Sequence, residues 1–242
     1  MITVFILTYR GINYFDQWFN PANYSTDTQF YIVDNGSQFI PSRLRHLHKY
    51  STSRNIGCAG GMNLIAHIAF DHMGLDKIIV GQDDGKFTQE MLDKVWERIT
   101  PDALVGGYNR SFDFALFGLH RDLYRGVGEF DENLIFGGCE DNDYKHRMKL
   151  ANKTLAQMNY DANLNCSLSS KLDDGTLKQT GVYNATYIQM KWGMNYEFTH
   201  PFNDPHINKD NIPMQQGLLD VYGDITEYPS KTEYLAFLKG VS

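Results

Sequence analysis

Short apolar runs alternate with longer amphipathic stretches over the first half of the chain. Thr3–Thr8 (TVFILT) and Gln29–Val33 (QFYIV) are short and rich in β-branched and aromatic residues, which predicts two buried strands. Ser42–Tyr50 predicts a helix. In GGMNLIAHIAFDHMG, Leu64, Ile65, Ile68 and Ala69 recur at helical spacing, and Gly74 marks the stop. Lys77–Val80 (KIIV) predicts another buried strand. Thr88 is placed to cap a helix on which Met91, Leu92, Val95, Trp96 and Ile99 form one apolar stripe. Strand–helix alternation of this kind predicts an α/β protein, with a parallel or mostly parallel sheet covered by helices on both faces. Ligands of such sheets bind at the carboxyl ends of the strands. Asp34 and the pair Asp83–Asp84 each follow a strand directly, so they are expected on one rim.

The second half is less regular. Ala103–Gly106, Phe112–Gly118 and Thr154–Tyr160 predict strands, and Glu140–Leu150 and Tyr183–Trp192 predict helices. Residues 161–180 are polar and loop-like, and Pro201, Pro205 and Pro213 stand among Asn and Asp in an irregular tail. Internal repeats, low-complexity tracts and a clear linker are all missing. A chain of 242 residues therefore suits one large domain or two tightly fused halves.

Composition narrows the function classes. Hydrophobic residues make up 42% and charged residues 21%, both ordinary for a globular protein. The formal net charge of -7 gives no support to a long basic groove for nucleic acid. Cys58, Cys139 and Cys166 form no C-x-x-C pair and are odd in number, which predicts a reducing, cytoplasmic setting without a disulfide frame or zinc site. MITVFILTYRG lacks a basic leader region and a small-residue cleavage site, so it reads as a first strand. No apolar run is long enough to cross a membrane.

Four stretches carry candidate chemistry. YIVDNGS ends a strand in a turn from which Asp34 can accept hydrogen bonds from a base or a ribose hydroxyl, although an ordinary D-N-G turn reads the same way. NIGCAGGMN is a Gly-rich helix start whose bare amides can approach phosphate, or can simply serve packing. KIIVGQDDGKF delivers Asp83 and Asp84 together. Adjacent carboxylates repel unless a cation or a donor shares them, which suits Mg2+ or Mn2+ on a diphosphate; a solvated acidic turn is the alternative, and the EF-hand pattern is absent. GEFDENLIFGGCEDNDYKHR places Glu140, Asp141, Asn142 and Asp143 at a helix start behind two glycines. Helix capping explains one such residue. The surplus predicts a carboxylate held as general base, with a neighbour gripping a hydroxyl-rich acceptor.

The ordered set TYR, VDNGS, NIGCAGGMN, QDD and FDENLIFGGCEDNDYKHR resembles the GT-A glycosyltransferases of the large family-two type. Its last block is similar to the GGED(D/N)D segment of β-1,4-galactosyltransferases. MKWGMNYEFTHPFN is similar to a K-W-G…PFN segment of some bacterial and phage members. The resemblance covers roughly Ile2 to Asn203. It implies a single GT-A catalytic domain, with residues 1–87 as the nucleotide-sugar half and 88–242 as the acceptor-binding and catalytic half. Thr8, Tyr9 and Arg10 would border the base and Asp34 would hydrogen-bond it. Asn55, Gly57 and Asn63 would line the ribose and diphosphate. Asp83 and Asp84 stand at the D-x-D position, with Asp84 the favoured direct ligand of Mn2+ or Mg2+. Asp141 would be the base of an inverting transfer, with Glu140 beside it. Lys191 and Trp192 would form a lid, Trp192 stacking on a sugar. The implied partners are a nucleotide-diphosphate sugar, UDP favoured, and a carbohydrate or other hydroxyl acceptor.

Two departures from the pattern stand out. The first acidic position of D-x-D is Gln82. The region where many members place a metal-binding His reads NLNCSLSSK, which leaves His200 or His206 as the candidate third ligand. Two rival readings stand beside a sugar transferase. One is a nucleotidyltransferase, against which the loop after the first strand, TYRGINYF, lacks the usual Gly-rich basic character. The other is a non-catalytic sugar- or nucleotide-binding module.

Overall fold

The strand β1 (Ile2–Thr8) is buried along almost its whole length, because it pairs in parallel with a neighbour on each side. One neighbour is β2 (Thr28–Asn35) and the other is β4 (Lys77–Gln82). The computed structural model describes residues 1–9, 12–36, 40–53, 55–106, 114–134, 137–158, 184–185, 187–189 and 191–192. Among these, α1 (Ile12–Trp18) follows β1, β3 (His48–Thr52) follows β2, and α2 (Gly57–Ala66) leads to β4. Then come α3 (Gln89–Arg98), β5 (Ala103–Gly106), β6 (Leu116–His120), α4 (Arg121–Val127), α5 (Glu140–Leu150) and β7 (Thr154–Gln157).

The seven strands make one mixed sheet in the order β3-β2-β1-β4-β6-β5-β7. β6 runs antiparallel to both its neighbours, and the remaining pairs are parallel. Successive residues of a strand face opposite sides, and both sides of this sheet are covered. Val4 and Ile6 join α1, α3 and Ile79 on one face, while Phe5 and Leu7 join α2, α4 and the Tyr144 and Met148 side chains of α5 on the other. The chain moves outward from β1 to β3 and then returns to β4 on the far side of β1. The strand order therefore reverses between β1 and β4, the place where open α/β sheets form their ligand crevice.

The predicted α/β class with a sheet between two helical layers is present. Thr88 caps α3 as expected, its hydroxyl accepting from Met91 N at 3.3 Å. The helix expected over Ser42–Tyr50 is instead a single 3-10 turn, Ser42–Leu44, followed by the edge strand β3. As an edge strand beside β2, β3 keeps polar residues on its open side, so its sequence carries no apolar alternation. The strand expected from Phe112 is β6, which starts at Leu116. The helix after the glycines starts at Gly57 and relaxes into a π-helical turn, His67–His72, before Gly74 reverses the chain at φ 68. Asn184, Ala185, Tyr187–Gln189, Lys191 and Trp192 are helical, in keeping with the helix predicted there.

Candidate active site at the β1/β4 crevice

Thr8 and Asp83 close the bottom of the crevice. The Thr8 hydroxyl donates to Asp83 Oδ2, Tyr9 N donates to the same oxygen at 3.1 Å, and Asp83 N donates to Leu7 O at 3.2 Å. Oδ2 of Asp83 is thereby spent on fastening the end of β4 to the end of β1. The next acid, Asp84, is 7% exposed. Tyr9 stands out at the rim with 42% of its surface exposed. Its ring lies beside Gly36, where a Cβ would meet it at 3.4 Å.

Asp34 lies at the end of β2 but is fully buried. Its Oδ2 faces Lys49 Nζ and Ser51 Oγ of β3, both at 3.3 Å. Next to it, Asn35 binds the start of α2: Nδ2 donates to Gly57 O at 2.9 Å and Oδ1 accepts from Ile56 N at 2.7 Å. Asn55 Oδ1 accepts from Gly57 N at 2.8 Å, so the Gly-rich segment is held by two Asn side chains.

Asn63 was expected to line the ribose and diphosphate. It is instead fully buried in mid-helix with its amide spent inside the protein. Nδ2 donates to Phe130 O at 2.9 Å and to Glu132 Oε1 at 2.8 Å, and Oδ1 accepts from Phe130 N at 2.8 Å and Tyr124 OH at 3.1 Å. Its place in α2 turns it toward the segment leading to the acidic turn, away from the crevice. Arg10 and His200 lie outside the described residues.

The acidic block divides by function. Gly138 (φ 99) and Cys139 (φ 72) are both left-handed, which makes the sharp bend before α5. Asn184 Nδ2 clasps that bend from outside, donating to Gly137 O and Gly138 O at 3.0 Å each. Asp143 is fully buried: Oδ1 accepts from Lys191 Nζ at 2.7 Å and Trp192 Nε1 at 2.9 Å, and Oδ2 from Arg147 Nε at 2.9 Å. Lys191 Nζ also donates to Asp131 Oδ2 at 2.6 Å, and Tyr187 OH donates to that oxygen at 2.8 Å. Asn133 N and Nδ2 donate to Asp131 Oδ1 at 2.9 and 2.7 Å. Burial works to raise the Asp131 carboxyl, but the Lys191 ammonium and these donors hold it below its ordinary value. Lys191 and Trp192, expected as a lid over the sugar, are thus 3% and 2% exposed and fasten their own stretch of chain to the core.

Glu140 and Asp141 remain. The Asp141 side chain keeps 25% of its surface exposed and pairs with Lys145 Nζ at 2.9 Å, one helical turn on. Glu140 is 8% exposed and its Oε2 is buried without a hydrogen-bond partner. Burial raises the Glu140 carboxyl above its ordinary value, and the neighbouring Asp141 carboxylate adds to it. Cys58, in the first turn of α2, is the meeting point. Burial raises its thiol, and the nearby carboxylates of Glu140, Asp141 and Asp84 raise it further. Gln82 Nε2, at the end of β4, donates to Cys58 Sγ at 3.7 Å, and a Cβ on Gly137 would sit 3.7 Å from Cys58 Cβ and 4.0 Å from Glu140 Oε1, so the QDD turn and the start of α5, far apart in sequence, meet at Cys58 beside the strand-order reversal.

Among the described residues, no three His, Cys, Asp or Glu side chains form a metal-ligand cluster. The donor chemistry fits a hard cation through Asp84, since Mg2+ is commonly held by one or two carboxylates together with substrate phosphates. It does not fit Asp83 as an equal partner, because Asp83 Oδ2 already serves Thr8 and Tyr9. Sequence reasoning missed the parts played by Cys58, Asp131 and Lys145, and it did not separate Asp143 from its acidic neighbours. Only the D-E-N of FDEN gave any hint of Asp131.

No protein-family model matches the sequence, and no curated protein matches it. Solved structures do. GalNAc-T7 with UDP, GalNAc and Mn2+ superposes with a TM-score of 0.51 at 10% identity, over 81% of this chain and 49% of that one. The chain has the GT-A fold. It spans about half the length of GalNAc-T7. A nucleotide-diphospho-sugar transferase from Desulfovibrio desulfuricans superposes at 0.48 and 13% identity, over 75% of this chain and 94% of that one. A mannose-1-phosphate geranyltransferase from Thermus thermophilus superposes at 0.39 and 7%, over 66% and 74%. Among the described residues, no helix is long and apolar enough to cross a membrane.

Proposed function

We propose that the protein transfers a glycosyl group, with inversion, from a nucleotide-diphosphate sugar to a hydroxyl acceptor. The observation that carries this reading is the meeting of two acidic turns at Cys58 beside the strand-order reversal: Gln82, next to Asp83 and Asp84, donates to its Sγ at 3.7 Å, and the Gly137 bend that opens the Glu140–Asp141 helix start lies against it. A donor diphosphate would lie over the ends of β1 and β4, with its base toward Tyr9 and Gly36. Asp141 takes the acceptor hydroxyl's proton while that oxygen attacks the anomeric carbon from the face opposite the diphosphate. The bond from that carbon to the diphosphate oxygen breaks, and the diphosphate leaves with the electron pair. Lys145 holds the Asp141 carboxylate in one orientation, and the unpartnered oxygen of Glu140 receives an acceptor hydroxyl. Asp84, with the donor's phosphate oxygens, would hold Mn2+ or Mg2+, whose chemistry is to neutralise charge on the departing diphosphate.

The test is nucleotide release and sugar transfer over a panel of UDP-, GDP-, CMP- and dTDP-sugars with Mn2+, UDP-sugars first, against glycan, protein and small-molecule acceptors. Transfer by the wild type and a loss of about 100- to 10,000-fold in Asp141→Asn is the expected outcome. Tight nucleotide binding with no turnover on any acceptor would replace this reading with a binding module. Release of inorganic diphosphate from a nucleoside triphosphate and a sugar phosphate would replace it with a nucleotidyltransferase.

A further inference from the structure

Glu140 and Asp141 sit between two points that one distant stretch of chain holds. Ahead of them, Asn184 Nδ2 donates to Gly137 O and Gly138 O, each at 3.0 Å. Behind them, Asp143 Oδ1 accepts from Lys191 Nζ at 2.7 Å and Trp192 Nε1 at 2.9 Å. Asn184 is fully buried, so its amide belongs to the packed frame and is not a surface contact.

The bend needs such a hold. Gly138 (φ 99) and Cys139 (φ 72) are successive left-handed residues. A Cβ on Gly138 would meet nothing within 4 Å, so glycine is required there by backbone conformation and not by space. Cys139 carries a side chain in a conformation that disfavours one, and such a conformation persists only where the surroundings impose it. The helix start does not impose it: Cys139 stands at the N-cap position of α5, and its side chain makes no capping hydrogen bond. The bond from Asp143 N to Cys139 O, 3.0 Å, starts from that strained residue. Fixing the Gly137 and Gly138 peptides therefore fixes the direction in which the first turn of α5 leaves the bend. An amide nitrogen has two hydrogens and can serve both carbonyls at once, which an ionised carboxylate cannot do.

We propose that Asn184 is a positioning residue for Glu140 and Asp141: by holding the two glycine carbonyls it sets the angle at which the first turn of α5 presents both carboxyls to the acceptor. The inference rests on the reading above, in which Asp141 is the base and Glu140 receives an acceptor hydroxyl.

Kinetics and hydrogen exchange test it together. In Asn184→Ala, kcat should fall about 100-fold, the cost of a misplacement of about 1 Å, with donor KM unchanged. Asn184→Asp keeps the size but loses the donor, and it should fall with alanine; an active aspartate variant would show that shape alone matters and overturn the proposal. A rise in donor KM that matches the fall in kcat would overturn it too, in favour of general loosening. The second readout needs no turnover. Exchange at the Asp143 N–H should quicken roughly tenfold in Asn184→Ala, the worth of one hydrogen bond, while the amides of β1 keep their rates. An unchanged Asp143 rate, or an equal rise in β1, refutes the hold on the bend. Should neither variant fold, the wild type decides: nuclear Overhauser contacts between the Asn184 side-chain amide and the Gly138 α-protons are expected, and their absence sinks the proposal. If the wild type transfers no sugar, the functional reading fails, and the exchange pattern still decides whether Asn184 sets the start of α5.

Discussion

Replacing Lys191 with methionine separates an anchor from a lid. The Lys191 side chain is wholly buried, and its ammonium lies 2.6 Å from Asp131 and 2.7 Å from Asp143, themselves 3% and 0% exposed. Methionine fills much the same volume but leaves both carboxylates without their shared cation. Asp143 keeps Arg147 and the Trp192 indole. Asp131 keeps only neutral donors, Asn133 and Tyr187. Breaking a buried pair by removing one partner costs about 3–5 kcal/mol, against a total of about 5–15 kcal/mol for a folded domain. With a slope of about 3 kcal/mol per molar urea, the unfolding midpoint should fall by roughly 1–2 M. The acid limb should move too. Asp131 is held below its ordinary value, so its stabilisation is present above the unfolded carboxylate value of about 3.9 and is lost as pH falls through the folded value. Without the ammonium, burial prevails, and the loss should begin at higher pH. A midpoint shift under about 0.3 M, with a raised KM for donor, would refute the anchor and restore the lid.

Asn63→Ala should cost roughly 2–4 kcal/mol in urea unfolding, because it leaves Phe130 N–H buried and cuts the tie between α2 and the segment ahead of the acidic bend. His67 lies 2.8 Å from Asp71 and 3.3 Å from Glu129, and the Glu129 contact leads in raising its imidazole above the ordinary value. Its stabilisation is complete below the unfolded histidine value of about 6.5 and fades as pH rises through the folded value, so His67→Gln should flatten thermal stability between neutral and alkaline pH. The two adjacent acids should part company. Asp83→Ala should cost stability, about 1.5–3 kcal/mol for the lost bonds from Thr8 and Tyr9. Asp84→Asn should abolish Mn2+-dependent transfer while leaving the melting temperature unchanged or higher, since it relieves repulsion near Glu140 and Asp141; a matched loss of stability in Asp84→Asn would place both acids in the scaffold.

The sequence by itself determined the layers and their order. β1, β2 and β4 are legible because parallel strands covered on both faces must be apolar without interruption, and α3 is legible because a half-buried helix carries a stripe and a cap. Edge strand β3 was not legible, since its stability comes from β2 rather than from its own pattern. The sequence also pointed to Asp84 and to the block Glu140–Asp143, through local clusters of charge at element ends. Tertiary structure alone decided which acids serve the scaffold. Asp83, Asp143 and Asp131 are chemically indistinguishable from Asp84 and Asp141 in one dimension. What sets them apart is that Thr8 and Lys191, brought in from other segments, tie them into the frame. The same long-range assembly brought Gln82 of β4 to Cys58 of α2, for a hydrogen bond between two elements leaves no period or motif along the chain from which it can be read.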